Sequence, residues 1–305
     1  MKNKNNYLRL VLGLTIAMIF LFWSCEKKEQ NDEENIVEVL SSDSNLSTMV
    51  AALKYGKIGT LLENFYPFTV FAPTNAAFDE LFVNLGVSGI EDLSSESLDS
   101  ILLYHLLVGE VQDNLFVNRF VNTLSTGPDS QAIVMLMNGE ESTLNVDATI
   151  TGFNIMASNG VIHVIDKVLT IPTISDILNM DGNYKVFIRA MVIAEMDSIL
   201  SAKGPYTIFA PTDDAFEDLF TDLGMSGIDD MTKEQLIPIL QFHIAHGNFE
   251  SSDLNYATIS TLNGDVVVDL STSFVINSSA NILEINLQGK NGVIHSINKV
   301  LIPRK

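Results

Sequence analysis

The chain has 305 residues, of which 47% are hydrophobic and 18% charged, with a mean hydropathy of +0.24, so a mainly disordered polypeptide is excluded and two domains of ordinary size are expected. Seventeen Lys and Arg against 38 Asp and Glu give a net charge of −21, a field that repels phosphate backbones and disfavours nucleic acid as a partner. A single cysteine, Cys25, excludes an internal disulfide and any metal centre built from several thiolates.

The first segment, Lys2, Lys4 and Arg9 followed by an apolar run from Leu10 to Trp23 and then Ser24-Cys25, has the order of a secretory signal and is short for a membrane span. It resembles a bacterial lipoprotein signal, which implies a signal over 1–24, lipidation at Cys25 and attachment to the membrane through that lipid. Trp23 departs from the small residues usual before such a cysteine; a simple cleaved signal and an uncleaved anchor are the alternatives. Removing 1–24 takes away three basic and no acidic residues, leaving 14 against 38. Residues 25–35 then carry no apolar side chain beyond the cysteine and read as an acidic tether. Acidic stretches here resemble export signals to the outer face of the outer membrane, although a solvated linker has the same composition.

The remainder is a repeat. Residues 36–109 align with 174–247 at a constant offset of 138, and further on Asn159-Gly160-Val161-Ile162-His163 meets Asn291-Gly292-Val293-Ile294-His295 at an offset of 132. Two tandem globular domains are expected, over 36–170 and 173–305. In each, a long helix is predicted (Leu46 to Leu62, Tyr184 to Leu200), then a short strand ending at Ala-Pro (Phe68–Phe71, Tyr206–Phe209). Thr74 or Asn75 can cap the next helix, whose Phe78, Leu81, Phe82 and Leu85 lie on one face and which Gly86 ends; Phe216, Leu219, Phe220, Leu223 and Gly224 repeat the pattern. A further helix carries Leu98, Ile101, Leu102 and His105, matched by Leu236, Ile239, Leu240 and His243, with Thr232 and Gln235 as a capping box and Pro238 as an expected kink. Alternating Val, Ile and Thr, broken by Asn-Gly and Gly-Pro, fill the last third of each copy with strands and turns, so the class is α+β.

Phe-Thr-Val-Phe-Ala-Pro-Thr-Asn-x-Ala-Phe (68–78), Tyr104-His105 and Asn-Gly-Val-Ile-His-x-Ile-Asp-x-Val-Leu (159–169) resemble the signature blocks of the fasciclin domain family, and the first and last recur in the second copy. The resemblance implies a two-sheet β-wedge with packed helices in each domain, a non-enzymatic role in adhesion or in binding an extracellular protein or glycan, and no cofactor. An accessory subunit of an outer-membrane importer or assembly complex, with a barrel protein as partner, is the alternative.

The resemblance makes Tyr104, His105, Phe153, Asn154, Ile155 and Met156 the candidate interaction residues. The last four occupy the place of the integrin-binding pentapeptide of animal members, but Asn154 stands where an acidic residue would be needed, so no integrin function follows, and Ile155 and Met156 read as packing residues. The second copy replaces Tyr104 by Phe242 and Asp166 by Asn298. His105, His163, His243 and His295 form two matched pairs. Their places on an apolar helical stripe and inside Val/Ile-rich strands point to core imidazoles bonded to backbone, and no third ligand suggests a metal site. No nucleophile–base pair, phosphate loop or His-Glu-x-x-His is present, and hydrolysis is disfavoured. Divergence between the copies concentrates in 110–158 against 248–290. The longer loop of the first copy, with Thr126-Gly127-Pro128, the apolar Ile133 to Met137 and the Tyr104 hydroxyl, makes its 110–158 face the expected contact surface; drift in exposed loops is the alternative.

Overall fold

A computed structural model describes residues 33–303, apart from residue 57 and segments 63–66 and 271–273; Cys25 and residues 25–32 of the expected tether lie outside the described residues. The last residues of the expected tether, 33–35, already take part in the fold. Asn35 accepts hydrogen bonds from Val37 N and Glu38 N and, with Glu38 bonding back to Asn35 N, forms a capping box that starts helix α1 (Ile36–Ser42).

The predicted long helix is broken in both copies. In the first, α2 (Ser47–Tyr55) stops at Gly56 and a short α3 (Gly59–Leu62) follows. Helix α4 (Asn75–Leu85) and α5 (Ser95–Tyr104) complete the first set. In the second, α6 (Ile174–Asp181) and α7 (Lys185–Ile193) precede α8 (Ser198–Ser201), α9 (Asp213–Leu223) and α10 (Lys233–Gln241). Between α7 and α8, Glu195 takes φ +56, its N–H bonds Val192 O, and Met196 N–H bonds Met191 O. This is the double hydrogen bond of a left-handed helix terminator, with the buried Met196 as its apolar contact in place of the usual glycine signal. The caps follow the expected chemistry elsewhere: the Thr74 and Thr212 hydroxyls accept from Ala77 N and Ala215 N, Gly86 and Gly224 end α4 and α9 at φ +68 and +67, and α10 runs on through Pro238.

The first copy has seven strands: β1 (Phe68–Pro73), β2 (Leu106–Val108), β3 (Arg119–Thr126), β4 (Ala132–Asn138), β5 (Thr143–Leu144), β6 (Ala148–Ala157) and β7 (Gly160–Ile165), in spatial order β2-β1-β7-β6-β5-β4-β3. Only β1 and β7 pair in parallel. Strand β6 pairs with β5 at Ala148 and Thr149 and with β7 from Ile150 to Ala157, and two register shifts bend it so that both sheets of the wedge share it. The second copy repeats this with β8 (Tyr206–Pro211), β9 (Ile244–His246), β10 (Ala257–Thr261), β11 (Gly264–Asp269), β12 (Val275–Ile276), β13 (Ala280–Gly289) and β14 (Gly292–Ile297), and pairing of Thr261 with Ala245 closes its ring into a barrel.

Each copy holds two apolar cores. One lies between helices and sheet, around Leu53, Phe78 and Ile162 or around Phe187, Phe216 and Ile294. The other fills the wedge, around Phe71, Met135 and Ile165 or around Phe209, Val266 and Ile297. The Asn-Gly blocks join these layers. A Cβ at Gly160 or Gly292 would stand 2.0 Å from the carbonyl oxygen of Phe68 or Tyr206, and φ there is +151 or +145, so only glycine fits. The preceding asparagines tie the first helix of each copy to the short helix beside it. Asn159 accepts Ile36 N at 2.9 Å and donates to Leu62 O; Asn291 accepts Ile174 N at 2.8 Å and donates to Leu200 O at 3.0 Å.

Candidate functional site

The four paired histidines are structural donors and acceptors. His105 caps the C-terminus of α5, its Nδ1 lies 2.8 Å from Ile101 O, and its Nε2 accepts Leu169 N–H at 2.9 Å. Because a carbonyl only accepts, Nδ1 carries the proton and the ring is neutral. His243 repeats the arrangement with Ile239 O at 2.8 Å and Leu301 N at 2.9 Å. Burial pushes both imidazoles down to about 4. In the wedge, His163 Nε2 donates to Val111 O at 2.9 Å and His295 Nε2 to Phe249 O at 2.8 Å; burial lowers both, His295 to about 4. Their Nδ1 atoms face the backbone N–H of Asn154 and Asn286 at 3.4 and 3.5 Å.

That pairing explains the asparagines. Asn154 and Asn286 sit at the bulge of β6 and β13 with φ +53 and +60, a conformation asparagine tolerates better than most residues. The Asn154 amide donates to Asp113 Oδ1 at 2.7 Å and accepts Asp113 N at 3.0 Å, while Asn286 makes the same reciprocal bridge to Ser251. The side chain at the centre of the pentapeptide position thus holds a loop to a bulge in both copies.

Tyr104 is fully buried: its hydroxyl donates to Val134 O at 3.0 Å and bonds the Asn145 amide, so the hydroxyl expected on the contact surface is consumed inside the domain. His105 is buried with it. The strand Ile133 to Met137 is not a free surface either. Ile133, Met135 and Met137 point into the first wedge, and Val134 points outward into the helical core of the second copy, where Phe120 also packs. The expected contact face of the first copy is therefore largely spent on the second.

The extra loop of the first copy makes this junction. Thr261 pairs with Gly264 across a tight turn, whereas Thr126 pairs with Ala132 across a loop. A Cβ on Gly127 in that loop would lie 2.8 Å from Gly289 O and 3.3 Å from Gln288 Nε2. Beneath it, Gln288 and Asn248 exchange two hydrogen bonds of 3.1 Å, and Asn248 Nδ2 lies 3.5 Å from Pro128 O.

Other apolar side chains within 110–158 remain exposed. Phe153, Ile155 and Met156 are 39%, 36% and 52% exposed, against the expectation of packing for the last two. Phe153 meets Phe116 at a tilt of 51° and His163 edge-on at 79°, with ring centroids 6.4 and 6.1 Å apart. Among the described residues no group of three or more His, Cys, Asp or Glu could hold a metal ion, and no helix is long and apolar enough to cross a membrane.

A family model described as the fasciclin domain matches residues 44–172 and 182–303. Transforming growth factor-beta-induced protein ig-h3 of Sus scrofa is 26% identical over 269 residues, covering 87% of this chain and 37% of that protein. Periostin of Homo sapiens is 29% identical over 247 residues, covering 77% and 28%. Protein sll1483 of Synechocystis sp. is 28% identical over 132 residues, covering 43% of this chain and 73% of that one. The chain thus spans well under half the length of the two animal relatives. The fold is that of a FAS1 domain pair from the insect cell adhesion molecule fasciclin I, with a TM-score of 0.53 at 18% identity over 85% of this chain and 97% of that one.

Proposed function

Because the chain belongs to the fasciclin domain family, with two domains in tandem, we propose that it is a non-enzymatic binding module, held at the cell surface to engage an extracellular protein or glycan. The observation that carries this reading is how the polar core is used. Each core imidazole has both nitrogens engaged by backbone groups, a role in which it holds the fold and leaves no lone pair for proton transfer, while Phe153, Ile155 and Met156 present apolar surface to solvent. The matched pair from an insect adhesion molecule supports the same class of role.

The chain reaches the surface, in this proposal, as an outer-membrane lipoprotein anchored at Cys25 and carried outward on its acidic leash. Fractionation of cells bearing Cys25→Ala tests the anchor: release into the soluble fraction is expected, and full-length protein still bound to membrane would exclude lipidation. Protease shaving of intact cells reads the exposed face. Saturable binding of the purified chain to arrayed extracellular proteins and glycans, lost on replacing Phe153, Ile155 and Met156 by Ser, is the expected behaviour of the module. Binding that survives this replacement unchanged would remove the β6 face from the reading.

A further inference from the structure

One strand segment is used differently in the two domains. Leu287 and Gln288 of β13 pair with Ile294 and Val293, and Ile155 and Met156 of β6 pair with Ile162 and Val161 in the same register. Leu287 and Gln288 are 2% and 1% exposed: Leu287 shares an apolar core with Val134 of the first domain and with Ile174 and Ile177 of its own, and a Cβ on Gly127 of the first domain would stand 3.3 Å from the Gln288 amide, which also bonds Asn248 and Gly292 O. Nothing among the described residues covers Ile155 and Met156 in that way.

The junction is heterologous: the β3–β4 hairpin of one domain meets the β13 face of the other. Such an interface leaves one hairpin and one receiving segment of the pair unengaged by the other domain. The free hairpin, β10–β11, is the more polar of the two, with Thr258, Ser260 and Asp265 beside Val267 on its exposed side. Thr258 and Asp265 occupy the strand positions of Phe120 and Val134, and Ser260 holds Asp265 at 2.8 Å. The free receiving segment is apolar, and Met156 stands where its covered counterpart has the polar Gln288. Its rim is anionic, with Glu110 and Asp113 where the second domain has Asn248 and Ser251.

We infer that the Phe153–Met156 face of the first domain receives the β3–β4-type hairpin of a fasciclin domain carried by a different chain. This deepens the binding-module reading, on which it rests for its setting, by naming the class of partner. The partner's hairpin carries outward apolar side chains at the positions of Phe120 and Val134 and a basic residue toward Glu110 and Asp113. A second copy of this chain does not qualify, because its apolar hairpin is already seated on its own second domain and its other hairpin is polar.

The test builds the missing hairpin onto the chain itself. The donor is the mature chain with Cys25→Ala in which Thr258→Phe and Asp265→Val are introduced and residues 262–263 are replaced by residues 124–132; Ile155→Asp and Met156→Asp close its own face. The receptor is the mature chain with only Cys25→Ala. A one-to-one complex by analytical ultracentrifugation is expected, weakened by at least about tenfold when the receptor also carries Ile155→Asp and Met156→Asp. A folded donor that forms no complex, or one that binds both receptors equally, overturns the inference. A second measurement does not depend on the donor folding. A further copy of residues 36–172 is placed directly before Asn35 of the receptor chain, so that its hairpin can reach the face as the native one reaches β13. Peroxide oxidation of Met156, read by mass spectrometry, is expected to slow several-fold, and an unchanged rate overturns the inference. Failure here would leave array binding by the unmodified chain standing, so this result and the broader binding-module reading are separable.

Discussion

The imidazole of His105 accepts the backbone N–H of Leu169 across 64 residues of chain, and it does so only as the neutral tautomer whose other nitrogen donates to Ile101 O. His243 and Leu301 repeat the contact across 58 residues. Each histidine therefore joins a helix end to the segment that follows the last strand of its domain, and protonation breaks the acceptor half of the joint.

Acid stability follows from this. In the unfolded chain histidine titrates near about 6.5, whereas burial holds His105, His243 and His295 at about 4 in the fold. Between those values the unfolded chain binds more protons, so stability is complete above the upper value and is lost as pH falls toward the lower one. Each shift corresponds to on the order of 3 kcal/mol. Urea midpoints measured from about pH 7 down to about pH 4.5 should fall steadily; a flat profile would contradict the neutral-core assignment.

Tyr104→Phe leaves Val134 O and the Asn145 amide without their hydroxyl partner in a buried site. A loss of about 1–3 kcal/mol in unfolding free energy is expected by urea titration. The second domain has Phe242 at this position and so carries no such hydroxyl to lose.

Restoring an acidic residue at the centre of the pentapeptide position should harm the fold. Asn154→Asp replaces an amide donor 2.7 Å from Asp113 Oδ1 by a second carboxylate. Like charges at that range raise the carboxyl pKa in the folded state. Their cost is present at neutral pH and relieved on acidification, so the variant's deficit against the parent should shrink between about pH 7 and pH 4. A pH-independent deficit would mean that the positive φ, and not charge, sets the cost.

Gly127→Val drives a branched side chain against Gly289 O and Gln288. The Asn248–Gln288 pair below it then loses its cover, and the two domains uncouple. Calorimetry should resolve two transitions where the parent shows one, and the radius of gyration from solution scattering should rise. A single unshifted transition would show that the Gly127 loop does not clamp the junction.

Much of this molecule was legible without coordinates. The duplication, the Thr caps of α4 and α9, the Gly86 and Gly224 terminators and the inward histidines all rest on local chemistry: a hydroxyl before an apolar stripe, a left-handed glycine after it, an imidazole among Val and Ile. The break between α7 and α8 was not legible, because it is made by Glu195 in a conformation with no glycine to signal it and is held by burial of Met196. The roles of Asn159 and Asn291 were hidden for a similar reason, since their partners lie far away in the chain.

What sequence alone determined was the fold of each domain, because period, caps and turn residues act within a few positions of one another. What only tertiary structure decided was which surfaces remain. Leu287 and Ile155 occupy the same register on equivalent strands, yet Leu287 is buried in a core that Val134 of the neighbouring domain enters, whereas Ile155 is exposed. Exposure is a property of what lies across a face, and a chain read residue by residue carries the face without its neighbour.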